Sequence, residues 1–261
     1  MGSETPIPYS HLQAYLRHSA HQQYAAVPLP PFTLFFHPND NFEHFNYAIP
    51  DEPAGGDLAT VLAELCRVFT ARGCTPRFEF MERYAPELPE ALRQAGFFEE
   101  ARQHMMVCVP DAFQAAPPVP GLVVEVLAAD APIEQAVDFL AVQRLGFDPN
   151  SKEGVTSAEA ETFLKLLGAG RAFVARMAGE PVSVGVYNAP HDGLTELAGI
   201  ATLPDYRRRG IGTALTAQML VDAFANGVEV AILTAEDERA GRVYERVGFI
   251  PYTTMLAYRL P

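Results

Sequence analysis

Three consecutive arginines stand before a glycine-spaced turn at residues 207–213, in the order Arg-Arg-Arg-Gly-Ile-Gly-Thr. The preceding run, 196–202, is typical of a strand, and the following run, 213–224, is typical of a helix. A helix start already carries about half a positive charge from the macrodipole, so arginines there are unfavourable unless an anion is bound. Free N–H groups at a helix start bind phosphate, and glycines let a ligand approach the backbone. The sequence therefore predicts a strand–loop–helix unit that binds an anion.

The sequence after this loop predicts further strands and a short helix. A second strand, 228–234, is followed by a short helix with Tyr244, by Gly248-Phe249 and by a last strand, 255–259. The ordered set IATLPDYRRRGIGTAL and ILTAEDERAGRVYERVGF resembles the GNAT superfamily of N-acetyltransferases over about residues 121–261. The resemblance implies an α/β fold with a mixed, mostly antiparallel central sheet flanked by helices.

The proline-rich segment 114–121 predicts a stiff, extended linker. We therefore expect two domains: a degenerate, smaller GNAT-like module at residues 1–118 and a catalytic GNAT module at residues 119–261. Periodicity in the second half predicts further elements before the loop. These are a strand at 122–127, a helix that starts at 130–132 and reaches about 145, a helix at 157–167, and a hairpin of strands 173–177 and 182–187.

The first half contains a faint repeat of the second. Aligning Gly96 with Gly248 places Leu92 opposite Tyr244. Near the position of the arginine–glycine loop stands Gly55-Gly56-Asp57, which no basic residue adjoins. We expect a truncated α/β module that has neither a phosphate loop nor the tyrosine. A chance similarity between two strand–helix–strand units is the alternative interpretation.

The composition argues against several classes of protein. The net charge of −13 disfavours a nucleic-acid partner. No apolar run could span a membrane and no signal peptide is recognised, so we expect no membrane partner. The three cysteines form no C-x-x-C pair, which favours a reducing cytoplasm. Motifs for metals, serine hydrolases, dinucleotides and P-loops are missing from the sequence, and we expect no metal.

The GNAT resemblance implies acetyl-CoA as cosubstrate. The backbone N–H groups after Arg207 would hold its pyrophosphate, with added contacts from arginine side chains. The end of the preceding strand would bind the pantetheine and polarise the thioester carbonyl. Many family members have asparagine where this chain has Asp237, which cannot donate and which could instead only cap a helix. The implied cofactor-binding residues are Ile200, Ala201, Thr202, Arg207, Arg208, Arg209, Gly210, Ile211, Gly212, Thr213 and Asp237.

The sequence contains two candidate catalytic residues. The resemblance implies that Tyr244 protonates the departing CoA thiolate, although Tyr244 also fits an apolar helical stripe and could be a core residue. Glu196, in the strand before the loop, is the candidate general base. The pair Glu236-Asp237 and a chain of waters are the alternatives for that base.

The sequence therefore predicts transfer of an acetyl group from acetyl-CoA to a primary amine, by direct attack in a ternary complex. The acceptor would be a small-molecule amine or a peptide amine, and the protein a monomer or a homodimer. A non-catalytic acyl-CoA-binding module is the alternative from a different functional class. The sequence does not choose the acceptor, because acceptor sites are built from variable loops.

Overall fold

The computed structural model describes residues 7–37, 43–54 and 57–261. The chain divides into two compact units, Met1–Met105 with Thr253–Pro261, and Met106–Tyr252. The predicted α/β class is confirmed, with a mixed, mostly antiparallel sheet flanked by helices. Gly55 and Gly56, part of the predicted degenerate loop, lie outside the described residues. Within the described ranges, no helix is both long and apolar enough to cross a membrane.

The first unit has strand order β1-β2-β3-β4-β11-β5. Neighbouring strands pair antiparallel from β1 to β3, β3 pairs parallel with β4, and β4 pairs antiparallel with β11. Its core is rich in phenylalanine and includes Phe32, Phe69 and Phe78, which are fully buried. Its elements are α1 Tyr9–Gln23, β1 Ala25–Leu29, β2 Phe32–Phe36, β3 Tyr47–Pro50, α2 Ala59–Thr70, β4 Arg77–Met81, α3 Leu88–Gln94, and parts of β5 Phe98–Cys108 and β11 Ile250–Arg259.

The last strand of the chain contributes to the first unit. Met255 lies opposite Met81 and Arg259 opposite Arg77 in an antiparallel pair, and Leu256 is buried in the core of that unit. The sequence predicts this strand but assigns it to the second module. The proline-rich segment 114–121 lies within the second unit. The domain boundary at residue 118 stays a prediction about independently folding modules.

The second unit has strand order β5-β10-β9-β8-β7-β6, in which β6 to β9 pair antiparallel and β9 pairs parallel with β10. The predicted hairpin is present, because Ala178 and Gly179 both take positive φ angles of 51° and 87° between its strands. The elements are β6 Leu122–Leu127, α4 Ile133–Phe147, α5 Ser157–Leu167, β7 Arg171–Met177, β8 Glu180–Tyr187, β9 Leu194–Thr202, α6 Ile211–Ala225, β10 Val230–Ala235 and α7 Glu238–Glu245.

The two halves of the faint repeat have the same local backbone. After α3, Gly96 has a φ of +88° and the Phe97 N–H donates to Leu92 O (3.0 Å). After α7, Gly248 has a φ of +104° and the N–H of the next residue, Phe249, donates to the carbonyl of Tyr244 (3.2 Å). A left-handed glycine that closes a helix before a buried phenylalanine thus occurs once in each unit. The alignment of Gly96 with Gly248 therefore corresponds to a shared conformation.

Candidate functional site

Strands β9 and β10 separate partway along their length. Residues 194–196 of β9 pair in parallel with residues 230–232 of β10, and no described pairing between the two strands continues beyond Glu196. On its other side β9 keeps its antiparallel pairing with β8 to the end, with one bulge. Gly199 lies in that bulge with a φ of +59°, where a Cβ would come within 2.3 Å of Gln143 Nε2. The bulge redirects the last residues of β9 away from β10.

The carbonyl groups at the end of β9 already accept hydrogen bonds from within the unit. The buried Ser183 hydroxyl donates to Ala201 O (2.8 Å) and lies 2.8 Å from Thr202 Oγ1. The Arg207 guanidinium donates to Thr202 O (2.9 Å). These contacts fix the backbone of β9 at the point where it leaves its parallel neighbour.

The loop after β9 leads into a helix start with free donors. The loop contains two residues with positive φ, Arg208 at 63° and Gly210 at 81°, a conformation that suits glycine and that turns N–H groups toward one side. The first intrahelical bond runs from Ala214 N to Gly210 O (2.9 Å), so the N–H groups of residues 211–213 have no intrahelical acceptor. Among the residues that the structure describes, no side chain caps this end of α6, and the first turn of the helix carries no acidic residue.

The two glycines of the loop differ in what surrounds them. A Cβ on Gly210 would point at Val119 Cγ2, 3.6 Å away, and its left-handed φ would strain any other residue. A Cβ on Gly212 would have Thr202 Oγ1 at 3.6 Å and Val243 Cγ1 at 4.0 Å, both ordinary contacts. Thr202 and Val243 both line the cleft, so Gly212 is the position at which a side chain would narrow it.

The split strands, the loop and α7 enclose a cleft of about 550 Å³, within the roughly 300–1,000 Å³ of ligand sites. It is lined by predicted site residues Ile200, Ala201, Thr202, Arg207, Arg208, Gly210, Ile211, Gly212, Thr213, Asp237 and Tyr244. Of the predicted residues, Glu196 and Arg209 do not line it. Its other lining residues are Gly146, Phe147, Tyr206, Glu236, Arg239, Ala240, Arg242, Val243 and Arg246.

The cleft is positively charged although the protein carries a net charge of −13. Five arginines from the loop, from α7 and from the C-cap of α7 line it, together with two acidic residues, Glu236 and Asp237. The sequence motif does not include the arginines at 239, 242 and 246, although they recur at helical spacing along α7 and its C-cap and so share one face. Such a local concentration of cations in an acidic protein favours a ligand with several negative charges. The lining arginines are Arg207, Arg208, Arg239, Arg242 and Arg246.

Tyr244 combines packing with access to the cleft. Its ring packs against the core of the second unit and lies 6.1 Å from the Phe249 ring, edge to face. Its hydroxyl makes no hydrogen bond to any residue in the described part of the chain. Burial, followed by the nearby Glu236 carboxylate, raises the pKa of Tyr244 to about 12. The hydroxyl is therefore a proton-bearing donor at the cleft wall at every physiological pH.

The two predicted acids have local structural partners. Asp237 caps α7, because its Oδ1 accepts the N–H of Ala240 (2.7 Å). Glu196 is half-buried at the end of the parallel pairing, where its Oε2 lies 3.3 Å from Nδ2 of Asn188. No group of three or more His, Cys, Asp or Glu side chains that could hold a metal occurs among residues 7–37, 43–54 and 57–261.

Comparison with known proteins finds a family match within the second half of the chain. Residues 140–249 match the model of the Acetyltransferase (GNAT) family. A comparison with curated proteins finds no match. Among solved structures, a GCN5-related N-acetyltransferase from Kribbella flavida is 23% identical, with a TM-score of 0.80 over 97% of this chain and 95% of that chain.

Two further solved structures have the same fold at lower identity. A GCN5-related N-acetyltransferase from Sphaerobacter thermophilus is 16% identical (TM-score 0.65, 88% of this chain and 80% of that chain). A tandem GNAT protein from the clavulanic acid biosynthesis pathway is 14% identical (TM-score 0.65, 87% and 77%). The segment that matches the GNAT family model, residues 140–249, contains the whole arginine–glycine loop and both strands that border the cleft.

Proposed function

We propose that this protein transfers the acetyl group of acetyl-CoA to a primary amine, by direct attack within a ternary complex. The observation that carries the proposal is the uncapped start of α6, which opens into a cleft with five arginines in an acidic protein. Acetyl-CoA matches this site because it brings phosphate charges to the helix start and an acyl group to the end of β9.

In this proposal the N–H groups of residues 211–213 and the Arg208 side chain hold the pyrophosphate. The end of β9, residues 200–202, binds the pantetheine and polarises the thioester carbonyl. The amine nitrogen then attacks that carbonyl carbon, the carbon–sulfur bond breaks, and the amine proton must leave. Glu196, which does not itself line the cleft, is our candidate for the base; the pair Glu236-Asp237, which does line it, and a chain of waters are the alternatives.

The raised pKa of Tyr244 decides whether it would transfer its proton to the thiolate or only donate a hydrogen bond to it. With a pKa of about 12, against about 8.5 for a thiol, full proton transfer from the tyrosine to the thiolate is uphill by roughly 3–4 pK units, or about 5 kcal/mol. We therefore propose that Tyr244 stabilises the leaving thiolate as a hydrogen-bond donor and keeps most of the proton. A hydroxyl at the cleft wall that no described residue engages in a hydrogen bond supports a catalytic module over a non-catalytic binding module.

Calorimetry and turnover test the proposal together. We expect acetyl-CoA to bind at one site per chain, with an affinity that falls as salt is added, because arginine–phosphate contacts are screened. The first unit should not bind it, since at the start of α2 the Asp57 carboxylate already accepts the N–H of Ala59 (3.0 Å). A panel of small-molecule and peptide amines should then release CoA thiol. One-site binding without release for any amine would leave the non-catalytic module as the function.

A methyl group added at Gly212 should have opposite effects on acetyl-CoA affinity and on stability. Gly212→Ala is expected to weaken acetyl-CoA binding about 10- to 150-fold, because its Cβ would stand where phosphate contacts the start of α6. Since alanine favours helix over glycine, the same change should raise the melting temperature.

The matched control for this variant is Gly241→Ala. Its Cβ would meet Met106 Sδ at 3.8 Å and Ala235 Cβ at 3.9 Å inside the core, away from the cleft. It should raise stability and leave the affinity unchanged. Equal affinities for the Gly212→Ala and wild-type proteins would exclude this helix start as the phosphate site.

The remaining predictions concern organisation. We propose that residues 1–118 form a degenerate module that supports the catalytic module at residues 119–261. A cytoplasmic location, and a monomer or homodimer in solution, also stay predictions. Sedimentation of the intact protein measures its oligomeric state.

A further inference from the structure

The three consecutive arginines have three different environments. The Arg209 guanidinium lies 5.1 Å from the centre of the Tyr206 ring, a cation–π contact. Arg208 makes no hydrogen bond or ion pair with any residue that the structure describes. The Arg207 guanidinium makes two hydrogen bonds within the protein: its Nε donates to Thr202 O (2.9 Å) and its Nη2 donates to Gly146 O (2.6 Å). Membership in one motif therefore does not give these side chains one role.

The second of these bonds closes the end of another helix. Gly146 is in the last turn of α4, where backbone carbonyls have no intrahelical donor. A guanidinium at that end satisfies one of them and complements the negative end of the helix dipole. Arg207 is thus a C-terminal cap for α4 that comes from the phosphate loop.

The end of α4 also lies directly against β9. A Cβ on Gly146 would come within 2.7 Å of Ala201 Cβ and 3.5 Å of Thr202 N, so only glycine allows this approach. The next residue, Phe147, lines the cleft and is 62% exposed. The contact that Arg207 closes therefore brings an aromatic wall of the cleft beside the backbone of β9.

We propose that Arg207 is a positioning residue, which fastens the end of α4 to β9 and so sets where the Phe147 wall stands relative to residues 200–202, and that it is not a ligand of the cofactor phosphates. The positioning role rests on the proposed function, which places the acetyl group near the end of β9. The two hydrogen bonds by which Arg207 fastens α4 to β9, here called the clamp, exist without any ligand. The clamp and the proposed function can therefore fail separately.

The first experiment compares Arg207→Ala and Arg207→Lys with Arg208→Ala. Lysine keeps the positive charge but has one nitrogen, which cannot serve two diverging carbonyls as the guanidinium does. Hydrogen exchange of the unliganded protein should rise about tenfold or more at residues 145–150 in both Arg207 variants and stay unchanged in Arg208→Ala. Unchanged exchange at residues 145–150 in the Arg207 variants would overturn the clamp.

Calorimetry with acetyl-CoA gives the second readout. Both Arg207 variants should keep the wild-type affinity within about threefold, because Arg207→Lys keeps the charge and Arg207→Ala removes only a screened one. Arg208→Ala should lose about tenfold or more, as for a direct charge-assisted contact. An affinity loss in Arg207→Ala as large as in Arg208→Ala would make Arg207 a phosphate ligand and contradict the proposal.

The third readout reports on positioning. The carbon-13 resonance of acetyl-CoA labelled at the acetyl carbonyl, bound at saturation, should differ between the wild-type protein and both Arg207 variants, because the Phe147 ring beside residues 200–202 has moved. It should be unchanged in Arg208→Ala. Identical resonances in all proteins would overturn the positioning role. If acetyl-CoA does not bind the wild-type protein, the proposed function fails, while hydrogen exchange still decides the clamp.

Discussion

Replacing Tyr244 with phenylalanine is expected to slow single-turnover acetyl transfer about 10²–10⁴-fold, which is what a placed proton donor contributes. The ring stays and only the hydroxyl is lost. Because that hydroxyl has no hydrogen-bond partner in the described part of the chain, the melting temperature should change little. Acetyl-CoA affinity should also hold, since the hydroxyl acts mainly as the thiolate develops. Single-turnover measurement is needed, because slow product release could hide a chemical defect.

Tyr187→Phe is the matched control in the same unit. The Tyr187 hydroxyl is buried and donates to Asp222 Oδ1 (2.6 Å), and it does not line the cleft. Removing it takes one hydrogen bond from the half-buried Asp222 carboxylate, which should cost about 0.5–1.5 kcal/mol. This variant should melt earlier and keep its activity per folded molecule. If Tyr244→Phe instead melts earlier and keeps a normal transfer rate, as expected for the control, then Tyr244 has no role in the mechanism.

Alanine at Gly248 is expected to destabilise the second unit by about 2–5 kcal/mol. A left-handed φ already disfavours a side chain by roughly 1–2 kcal/mol. In addition, the Cβ would lie 2.1 Å from Ala112 O and 2.8 Å from Ala112 C, so backbone must move. Hydrogen exchange of the buried α6 amides measures the loss.

Gly96 supplies the comparison within the same chain. It has the same kind of φ, but its nearest neighbour to an added Cβ is Leu260 Cδ2 at 3.9 Å. Gly96→Ala should therefore destabilise the first unit by only the backbone term, about 1–2 kcal/mol. If the two alanine variants have equal effects, the close approach of Ala112 does not restrict Gly248.

Local signals were sufficient for part of this site. The loop and α6 were predicted because charge, glycine spacing and helical periodicity are visible within some 50 residues of sequence. Tyr244 was predicted from the resemblance to the GNAT superfamily, since its helical spacing alone also fits a core residue. The Gly96 alignment was likewise predicted from a short helix-ending pattern, which the structure shows as a shared glycine conformation. The arginines at 239, 242 and 246 were not predicted to line the cleft, although their helical spacing could have indicated it.

The rest depends on contacts that sequence spacing does not report. Nothing near Arg207 indicates that its guanidinium reaches Gly146, because the two residues meet only after α4 packs on β9. Strands β1 to β3 were not predicted either. In β2, Phe32–Phe36, every residue is buried, so the strand lacks the alternation that marks one exposed face. In β1, Pro28 obscures the strand signal.

The arginine-lined helix start would recognise a part of acetyl-CoA that the reaction leaves unchanged. Free CoA carries the same phosphates, so under the proposed function it would bind to the loop and to α6 nearly as well as the substrate does. Only the end of β9 senses whether an acetyl group is attached. We therefore expect product inhibition by CoA that is competitive with acetyl-CoA, and a turnover that follows the ratio of acetyl-CoA to CoA in the surroundings.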